Sequence, residues 1–303
     1  MSSRARSVLS AVLLGVLGVV ALAAVWELFK LVGPADGLVI GAQEGVTGSG
    51  FRILPRSSDQ AMPHIWEMIA RIVEPVTRAP GALPLGLVVL RAAAVSLGLA
   101  GLGWLLGVTV GFLLALLMQR LRIAEWAVLP FVILSQTVPL IALAPLIRNW
   151  GSRLEFGAFE WESWMSVVVI ASYLAFFPVA VGALRGLQSP DTIHVELMRT
   201  YAAGWWKTLI RLRLPASVPY LVPAMRLAAA NAVVGAVVAE ISVGFNAGIG
   251  RLILETAVAA SSDPAKPWAP ILGAVLLGLV AAGFVMLLAS FLKPFRQIGR
   301  AHV

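Results

Sequence analysis

Residues 196–215, ELMRTYAAGWWKTLIRLRLP, form a polar and basic stretch between two long apolar runs. Over the whole chain of 303 residues, 59% are hydrophobic and 13% are charged, whereas soluble domains usually carry about 25% charged residues. About 20 apolar helical residues cross the hydrocarbon core of a bilayer, so the apolar runs predict membrane-spanning helices. A basic, helix-capable stretch between two such helices lies at a membrane face, where we expect it to dock another component.

The apolar runs predict an all-α integral membrane protein with about six transmembrane helices. Helices are favoured over a β-barrel because the runs are continuous rather than alternating. The run nearest the N-terminus is too long for the apolar region of a usual signal peptide, so we expect it to be retained as the first span. The predicted spans cover residues 8–29, 90–118, 126–147, 165–184, 221–243 and 270–292.

Basic residues in the short connections indicate the orientation of the chain in the membrane. They precede span one and follow spans two, four and six: Arg4 and Arg6; Arg120 and Arg122; Arg185, Arg199, Lys207, Arg211 and Arg213; and Lys293, Arg296 and Arg300. With six crossings these groups all fall on one side, which the positive-inside rule identifies as the cytoplasm. The same distribution accounts for the net charge of +8, so no nucleic-acid partner is expected.

This orientation predicts three regions along the chain. Residues 1–29 are expected to hold the cytoplasmic N-terminus and the first transmembrane helix, and residues 30–83 an extracytoplasmic segment. Residues 84–303 are expected to form the core, with a cytoplasmic loop at 187–219 and a cytoplasmic C-terminus. Within the outer segment, residues 64–72 are expected to form a short amphipathic helix on the outer surface.

Missing residue types and motifs exclude several chemistries. The chain has no cysteine, so a disulfide framework, an iron–sulfur cluster and thiol chemistry are excluded. Its three histidines show neither an HxxxH nor an HExxH pattern, so no metal site is expected. It has no GxxxxGKS or GxxxxGKT phosphate loop, so no cofactor is expected on this chain. Three functions remain open on these grounds: a self-contained secondary transporter, a membrane enzyme and a non-transporting scaffold. The acid–base relays and repeats typical of secondary transporters are sparse, and no convincing catalytic cluster of an enzyme is found.

Polar side chains inside spans are costly and often functional, which makes five residues candidates for a pathway or gate. Ser135, Gln136 and Thr137 form a polar cluster in span three, where lining a pathway and packing against a helix are equal alternatives. Asn231 and Glu240 lie nine residues apart, so on a straight helix they face roughly opposite sides. Glu240 is expected to serve in structural pairing or gating rather than in direct contact with a substrate.

Glycines and prolines predict the shape of three spans. Gly103, Gly107 and Gly111 recur at every fourth residue of span two, so they leave one helix face open to the close approach of another helix. Prolines are expected to kink or interrupt spans three and four: Pro130, Pro139, Pro145 and Pro178.

Residues 196–215 resemble the cytoplasmic coupling motif of ABC importer permeases, the EAA loop. That motif has a glutamate, then small residues, then a glycine six places after the glutamate, and it ends nineteen places after the glutamate with hydrophobic-x-Leu-Pro. Glu196, Leu212, Leu214 and Pro215 fall on the corresponding positions.

Three positions of the motif differ in this sequence. Leu197 and Met198 replace the two alanines, and Ala202 stands where the motif has its glycine. Gly204 follows two residues later and can break the helix there, so a helix–turn–helix is still predicted.

Further segments resemble the nitrate, sulfonate and taurine branch of these permeases, which includes thiamine-pyrimidine permeases. They occur in the order expected for that branch: AVWELFKLVG (24–33), RILP (52–55), VPLIALAPLI (138–147), FFPVAVGALRGLQSPD (176–191), LPASVPYLVPAMRLA (214–228), VVAEI (237–241) and GIGRLI (248–253). Together they extend the resemblance over most of the chain.

The resemblance implies a type I importer fold, in which two permease copies, expected to be a homodimer, form the pathway in the inner (plasma) membrane. Two cytoplasmic ATPase subunits would hydrolyse ATP, and an extracytoplasmic solute-binding protein would deliver a small organic or inorganic solute. The 196–215 motif would sit in a cleft of the ATPase, and closure of the ATPase pair would alternate access to a central site. Few cationic residues lie within the spans, which favours an organic solute over a strongly anionic one.

Overall fold

The computed structural model describes residues 3–40, 51–154, 157 and 160–291. The basic group Lys293, Arg296 and Arg300 and the predicted end of span six at residue 292 lie outside the described residues. By its internal contacts the chain divides into two compact units, one formed by Met1–Val88 and Glu255–Ala269 and the other by Val89–Leu254 and Pro270–Val303.

The described chain is mainly helical. In chain order the helices are α1 (Ser3–Val32), α2 (Ile65–Val73), α3 (Leu85–Arg120), α4 (Arg122–Ser135), α5 (Leu140–Gly151), α6 (Ser163–Gln188), α7 (Thr192–Thr200), α8 (Trp205–Thr208), α9 (Leu214–Val243), α10 (Ile249–Val258) and α11 (Trp268–Phe291). A π-helical turn, Leu209–Arg213, joins α8 to α9, and a 3-10 turn, Ala259–Ser261, follows α10. Two short strands, β1 (Leu38–Ile40) and β2 (Phe51–Leu54), pair antiparallel.

The membrane-length helices correspond to the predicted spans. Within the described residues, five are long and apolar enough to cross a bilayer: Leu13–Val32, Leu85–Arg120, Ser163–Gln188, Trp205–Val243 and Trp268–Ala289. A sixth crossing is possible if α4 and α5 count as one span, although they meet at a bend of 106°. The all-α membrane architecture is therefore confirmed, and the third predicted span, 126–147, is interrupted and consists of the two helices α4 and α5.

The break between α4 and α5 has its cause in Pro139. A proline has no N–H to donate, and its ring keeps the preceding residue out of the α-helical region. Accordingly α4 ends at Ser135, and Pro139 stands as the N-cap residue of α5 with φ of −63° and ψ of 117°. Of the four prolines expected to kink or interrupt their helices, Pro139 lies at an interruption. The other three lie inside helices: Pro130, Pro145 and Pro178.

Helix α6 is the most deeply buried of the membrane-length helices, and the predicted glycine face of α3 packs against it. A Cβ atom on Gly107 would lie 2.7 Å from the Cβ of Ala175, and one on Gly111 would lie 2.5 Å from the carbonyl oxygen of Phe176. Gly103 faces Ala171 in the same way. Since these distances are shorter than carbon atoms tolerate, only glycine allows this approach, and the predicted packing face is confirmed.

Helix α9 lies against α6 through small residues as well. A Cβ atom on Gly235 would lie 3.0 Å from the Cα of Ala171, and one on Gly182 would meet the Cβ of Ala224 at 2.5 Å. The indole N–H of Trp104 donates a hydrogen bond of 3.1 Å to the carbonyl of Met225 and so joins α3 to α9. The α3, α6 and α9 helices thus form the core of the second unit.

In the first unit, polar contacts hold α2 to the end of α1. The carboxylate of Glu27 accepts hydrogen bonds of 2.8 Å from the backbone N–H of Ile65 and from the ring of His64. Lys30 donates to the carboxylate of Asp59 at 2.6 Å, and this bond holds the pKa of Asp59 below its ordinary value. The predicted amphipathic helix at 64–72 is confirmed as α2.

Candidate functional site

The first half of the 196–215 motif is a helix followed by a left-handed turn. Helix α7 ends at Thr200, and Ala202 adopts a φ of +51°. The backbone N–H of Ala203 donates to the carbonyl of Met198 at 2.9 Å, which closes the end of the helix. Left-handed backbone costs an L-residue about 1–2 kcal/mol, so Ala202 carries strain that the glycine of the family motif would avoid.

Gly204 has a different role from the one that its sequence position suggested. Its φ is −64° and its ψ is 167°, and it serves as the N-cap residue of α8. A Cβ atom at this position would meet nothing within 4 Å. The predicted helix–turn–helix is present, but the residue that requires glycine-like freedom is Ala202 rather than Gly204.

The second half of the motif contains the π-helical turn Leu209–Arg213, and Pro215 explains it. Within an α-helix the ring of Pro215 would clash with the carbonyl of Arg211, and its nitrogen could not donate. The wider turn instead lets the N–H of Leu214 donate to the carbonyl of Leu209. As a result α8, the π turn and α9 run continuously into the membrane-length helix.

Packing holds this second half in place. Leu209 is buried in a cluster with residues of α3 and α6, and the motif residues Leu212, Leu214 and Pro215 are partly buried. The guanidinium of Arg213 donates a hydrogen bond of 2.7 Å to the carbonyl of Leu187 at the end of α6. The motif residues at this end therefore pack the segment against the membrane-length helices.

One exposed face of α7 is apolar. Ile193, Leu197 and Tyr201 follow one another at four-residue intervals and are 73%, 50% and 75% exposed. We call these three residues the α7 apolar face. Glu196 lies on another side of the helix, where it lines a surface cavity of about 680 Å³. The structure thus places the motif's glutamate and its exposed apolar residues on different sides of one helix.

The polar cluster at residues 135–137 lies at the break between α4 and α5. The hydroxyls of Ser135 and Thr137 donate to the carbonyls of Val132 and Leu134 at 2.7 Å and 2.8 Å, so they cap the end of α4. Gln136 donates to the hydroxyl of Ser135 at 3.2 Å. These side chains satisfy backbone groups that the broken helix leaves open.

Tyr173 of α6 also reaches this break, since its hydroxyl donates to the carbonyl of Ser135. Sequence reasoning did not identify Tyr173. Its polar tip within an otherwise apolar run was the available signal, because a buried tyrosine hydroxyl usually has a partner.

Asn231 and Glu240 bind different parts of the unit, as their spacing predicts. The side-chain amide of Asn231 donates to the carbonyl of Leu174 on α6 at 3.2 Å. The carboxylate of Glu240 is completely buried and accepts a hydrogen bond of 2.6 Å from the hydroxyl of Ser96 on α3. The two side chains therefore do not share one site.

Glu240 also holds the start of α10. Its second oxygen accepts a bond of 2.8 Å from the N–H of Gly250, and the hydroxyl of Ser96 accepts one of 2.8 Å from the N–H of Ile249. Negative charge at a helix N-terminus is stabilised by its open N–H groups and by the helix dipole. A side chain on Gly248 would collide with the carboxylate of Glu240, and one on Gly250 would collide with the carbonyl oxygen of Val237, so both glycines are required for this fit.

Ser96 is a second functional residue that sequence reasoning missed. It is completely buried in α3, 144 residues before its partner, and no local pattern links the two. An isolated serine in an apolar span was the available signal, although such serines often bond only to their own helix.

The sequence matches the model of a family described as binding-protein-dependent transport system inner membrane component over residues 107–295. It is similar to the formylaminopyrimidine transport permease protein ThiX of Halalkalibacterium halodurans, with 31% identity over 244 residues that cover 77% of this chain and 92% of the relative. It is similar to the putative aliphatic sulfonates transport permease protein SsuC of Bacillus subtilis, with 29% identity over 67% of this chain and 69% of the relative. It is also similar to the riboflavin transport system permease protein RibX of Chloroflexus aurantiacus, with 31% identity over 44% of this chain and 46% of the relative.

Removing the carboxylate of Glu240 is expected to destabilise the fold. Glu240→Ala leaves the hydroxyl of Ser96 and the N–H of Gly250 without their buried acceptor, and it opens a cavity, so we expect a loss of about 2–5 kcal/mol. Glu240→Gln keeps one oxygen for Gly250 and an amide that can donate to Ser96, so its loss should be smaller. Thermal unfolding of the purified variants measures both. A Glu240→Gln protein that unfolds like the wild type but has lost transport would instead assign the carboxylate to transport.

Substitutions at the two turn positions, Ala202 and Gly204, are expected to affect stability differently. Ala202→Gly relieves left-handed strain and should raise the free energy of unfolding by up to about 1 kcal/mol, whereas Ala202→Val should lower it. Gly204→Ala should change it by less than about 1 kcal/mol, since φ is ordinary and the site is open. Thermal unfolding in detergent measures these shifts. A larger loss for Gly204→Ala than for Ala202→Val would contradict the assignment.

Proposed function

We propose a function for this chain from one premise: it belongs to the family of binding-protein-dependent transport system inner membrane components. The family model covers more than half of the chain, and one relative aligns over nearly its own full length. The chain is accordingly a permease subunit of an ABC importer, a transport subunit rather than an enzyme, and an integral inner membrane protein. Members of this family work with ATPase and solute-binding partners, so a self-contained secondary transporter is not favoured.

The proposed assembly has two copies of this permease, two cytoplasmic ATPase subunits that hydrolyse ATP and one extracytoplasmic binding protein. Residues 30–83 lie outside in this arrangement, and the loop at 187–219 and both termini lie in the cytoplasm. The basic groups at the ends of the spans support this orientation through the positive-inside rule.

The α7 apolar face is the proposed contact with the ATPase. Contiguous apolar residues that stay exposed at a membrane–water boundary are typical of protein interfaces. Tyr201 suits the centre of such a contact, because residues that contribute most of the binding energy are enriched in tyrosine, and Leu197 lies one helical turn before it on the same face. This surface is the single observation that carries the coupling proposal.

Movement of α7 can reach the membrane through two connections. The π turn makes α8 and α9 one continuous helix, and the bond from Arg213 to the carbonyl of Leu187 links the same segment to α6. An ATPase that pulls on α7 would therefore move α6 and α9, the two helices at the centre of the unit. We propose this as the route by which ATP binding alternates access to the pathway.

Among the candidate pathway residues, the break between α4 and α5 is the proposed lining element. Interrupted helices are tolerated at membrane depth where they line a cavity, and Thr137 is exposed there. Asn231 and Glu240 are proposed as structural residues, because each is engaged by backbone or side-chain groups of its own unit.

The proposed solute is a nitrogen-containing heteroaromatic compound. Two of the similar permeases carry formylaminopyrimidine and riboflavin in their names, and the first aligns over 77% of this chain. The spans hold few cationic residues that could offset a strongly anionic solute, which counts against inorganic anions.

A charge on the α7 apolar face is expected to prevent assembly. Leu197→Glu should reduce copurification of the ATPase at least about tenfold, since a central interface residue contributes about 2 kcal/mol or more. Leu197→Met keeps an apolar side chain of similar volume and serves as the matched control. Membrane insertion is checked for both variants. Normal ATPase recovery with Leu197→Glu would place the contact elsewhere.

A thermal-shift screen of the solute-binding protein encoded beside this permease tests the solute class. The panel holds pyrimidine precursors, riboflavin, aliphatic sulfonates, taurine and nitrate. A true ligand at one hundred times its dissociation constant stabilises the folded protein by about 2.7 kcal/mol, so a clear rise in Tm is expected with a heteroaromatic compound. Stabilisation by sulfonates or nitrate alone would overturn this solute assignment and leave the permease assignment standing.

A further inference from the structure

Four arginines surround the cavity beside α7. The cavity measures about 680 Å³ and lies where the C-terminal ends of α3 and α6 meet α7. We call it the arginine pocket after the lining residues Arg120, Arg122, Arg199 and Arg213.

The lining of the arginine pocket has an excess of positive charge. Its lining holds two carboxylates, Glu125 and Glu196, against four arginines, so two positive charges are in excess. Glu125 accepts a hydrogen bond of 3.0 Å from Gln188. Over the described ranges, no lining arginine forms an ion pair within 4.0 Å. The pocket is therefore suited to an anion.

Two of the arginines are already oriented by neutral partners. The guanidinium of Arg120 lies 4.9 Å from the ring centroid of Trp205, and Arg213 donates to the carbonyl of Leu187. A guanidinium carries five N–H donors, so both side chains keep further donors for a ligand. Arginine forks match the oxygen geometry of phosphate particularly well.

The position of the pocket fits a lipid better than a free phosphate. Two membrane-length helices end at its edge, and in the proposed orientation these ends lie on the cytoplasmic side, near the lipid headgroups. Trp126 lines the pocket and is exposed, as tryptophans at membrane interfaces commonly are. Ile123 and Phe131 continue an exposed apolar surface along α4, against which acyl chains can lie.

We infer that the arginine pocket binds the headgroup of an anionic phospholipid. The phosphate lies among the arginines, and the acyl chains follow α4. This inference goes beyond the proposed function and does not depend on the identity of the solute.

The bound lipid would also contact α7, on the side away from the α7 apolar face. Thr192, Val195, Glu196 and Arg199 face the pocket, whereas the α7 apolar face lies about 150° away around the helix, given 3.6 residues per turn. Headgroup and ATPase would therefore bind opposite sides of the same helix. Lipid composition would then change the strength of coupling without any contact between lipid and ATPase.

Lipid titrations of the purified full-length permease in detergent test the inference. Tm is followed with phosphatidylglycerol, phosphatidylcholine and inorganic phosphate, for the wild type, for Arg120→Gln/Arg199→Gln and for Arg211→Gln. Arg211 is the matched control, because it is exposed on the neighbouring π turn and does not line the pocket. Phosphatidylglycerol should raise Tm of the wild type and the control, with an apparent affinity at least about tenfold lower for the double variant. Phosphatidylcholine and inorganic phosphate should have little effect.

Several results would overturn the inference. An equal response of all three proteins to phosphatidylglycerol would place the lipid elsewhere, and an equal response to phosphatidylcholine would remove the role of charge. Stabilisation by inorganic phosphate alone would assign the pocket to a free anion. If the double variant loses the ATPase but keeps its lipid response, the arginines serve the protein partner. If the double variant is unstable, Arg120→Lys/Arg199→Lys should restore both folding and the lipid response.

Discussion

The structure depends on how closely α3 and α9 approach α6. In a bilayer the lipid tails are as apolar as the helix surfaces, so burying apolar area gives little reason for helices to associate. Close van der Waals packing must therefore drive the association of the helices, and glycine and alanine make that packing possible. Gly107 on α3 and Gly235 on α9 bring both helices against the backbone or first side-chain carbon of α6. The buried bonds that fix the ends of this core, such as that between Ser96 and Glu240, form only because the helices stand this close.

The sequence predicts the features that depend on local pattern and composition. The apolar runs identify the membrane helices, the four-residue glycine spacing identifies the packing face of α3, and the prolines of span three indicate that this span is kinked or interrupted. It does not predict the 106° bend, because proline prevents a helix from continuing but does not set the direction of the next one. Nor does it distinguish Pro130 from Pro139, since neighbouring helices and side chains can satisfy the backbone groups that a membrane proline leaves free.

The candidate site is less predictable because its partners are distant in sequence. Glu240 could be identified as a costly intramembrane acid, but its partner Ser96 lies on another helix and became apparent only from the packing. Ala202 shows a different limit: its left-handed conformation is usual for glycine, so residue type alone pointed to Gly204. On α7 the motif glutamate and the exposed apolar residues separate onto different sides, and a linear motif does not show that division. Residue type and spacing therefore identify residues 196–215 as the candidate coupling segment, and the fold determines what each of its residues contacts.

The unbroken helix from Trp205 to Val243 has a mechanical consequence. Its 39 residues extend about 58 Å at 1.5 Å per residue, almost twice the roughly 30 Å thickness of a hydrocarbon core. Small residues of α6 contact it along much of that length, from Ser217 against Gly186 to Gly235 against Ala171. A tilt of this helix alone would open gaps between closely packed atoms, so α6 and α9 are expected to tilt together as one rigid pair. A rigid pair that is longer than the bilayer core is thick transfers a displacement at one membrane face to the opposite face.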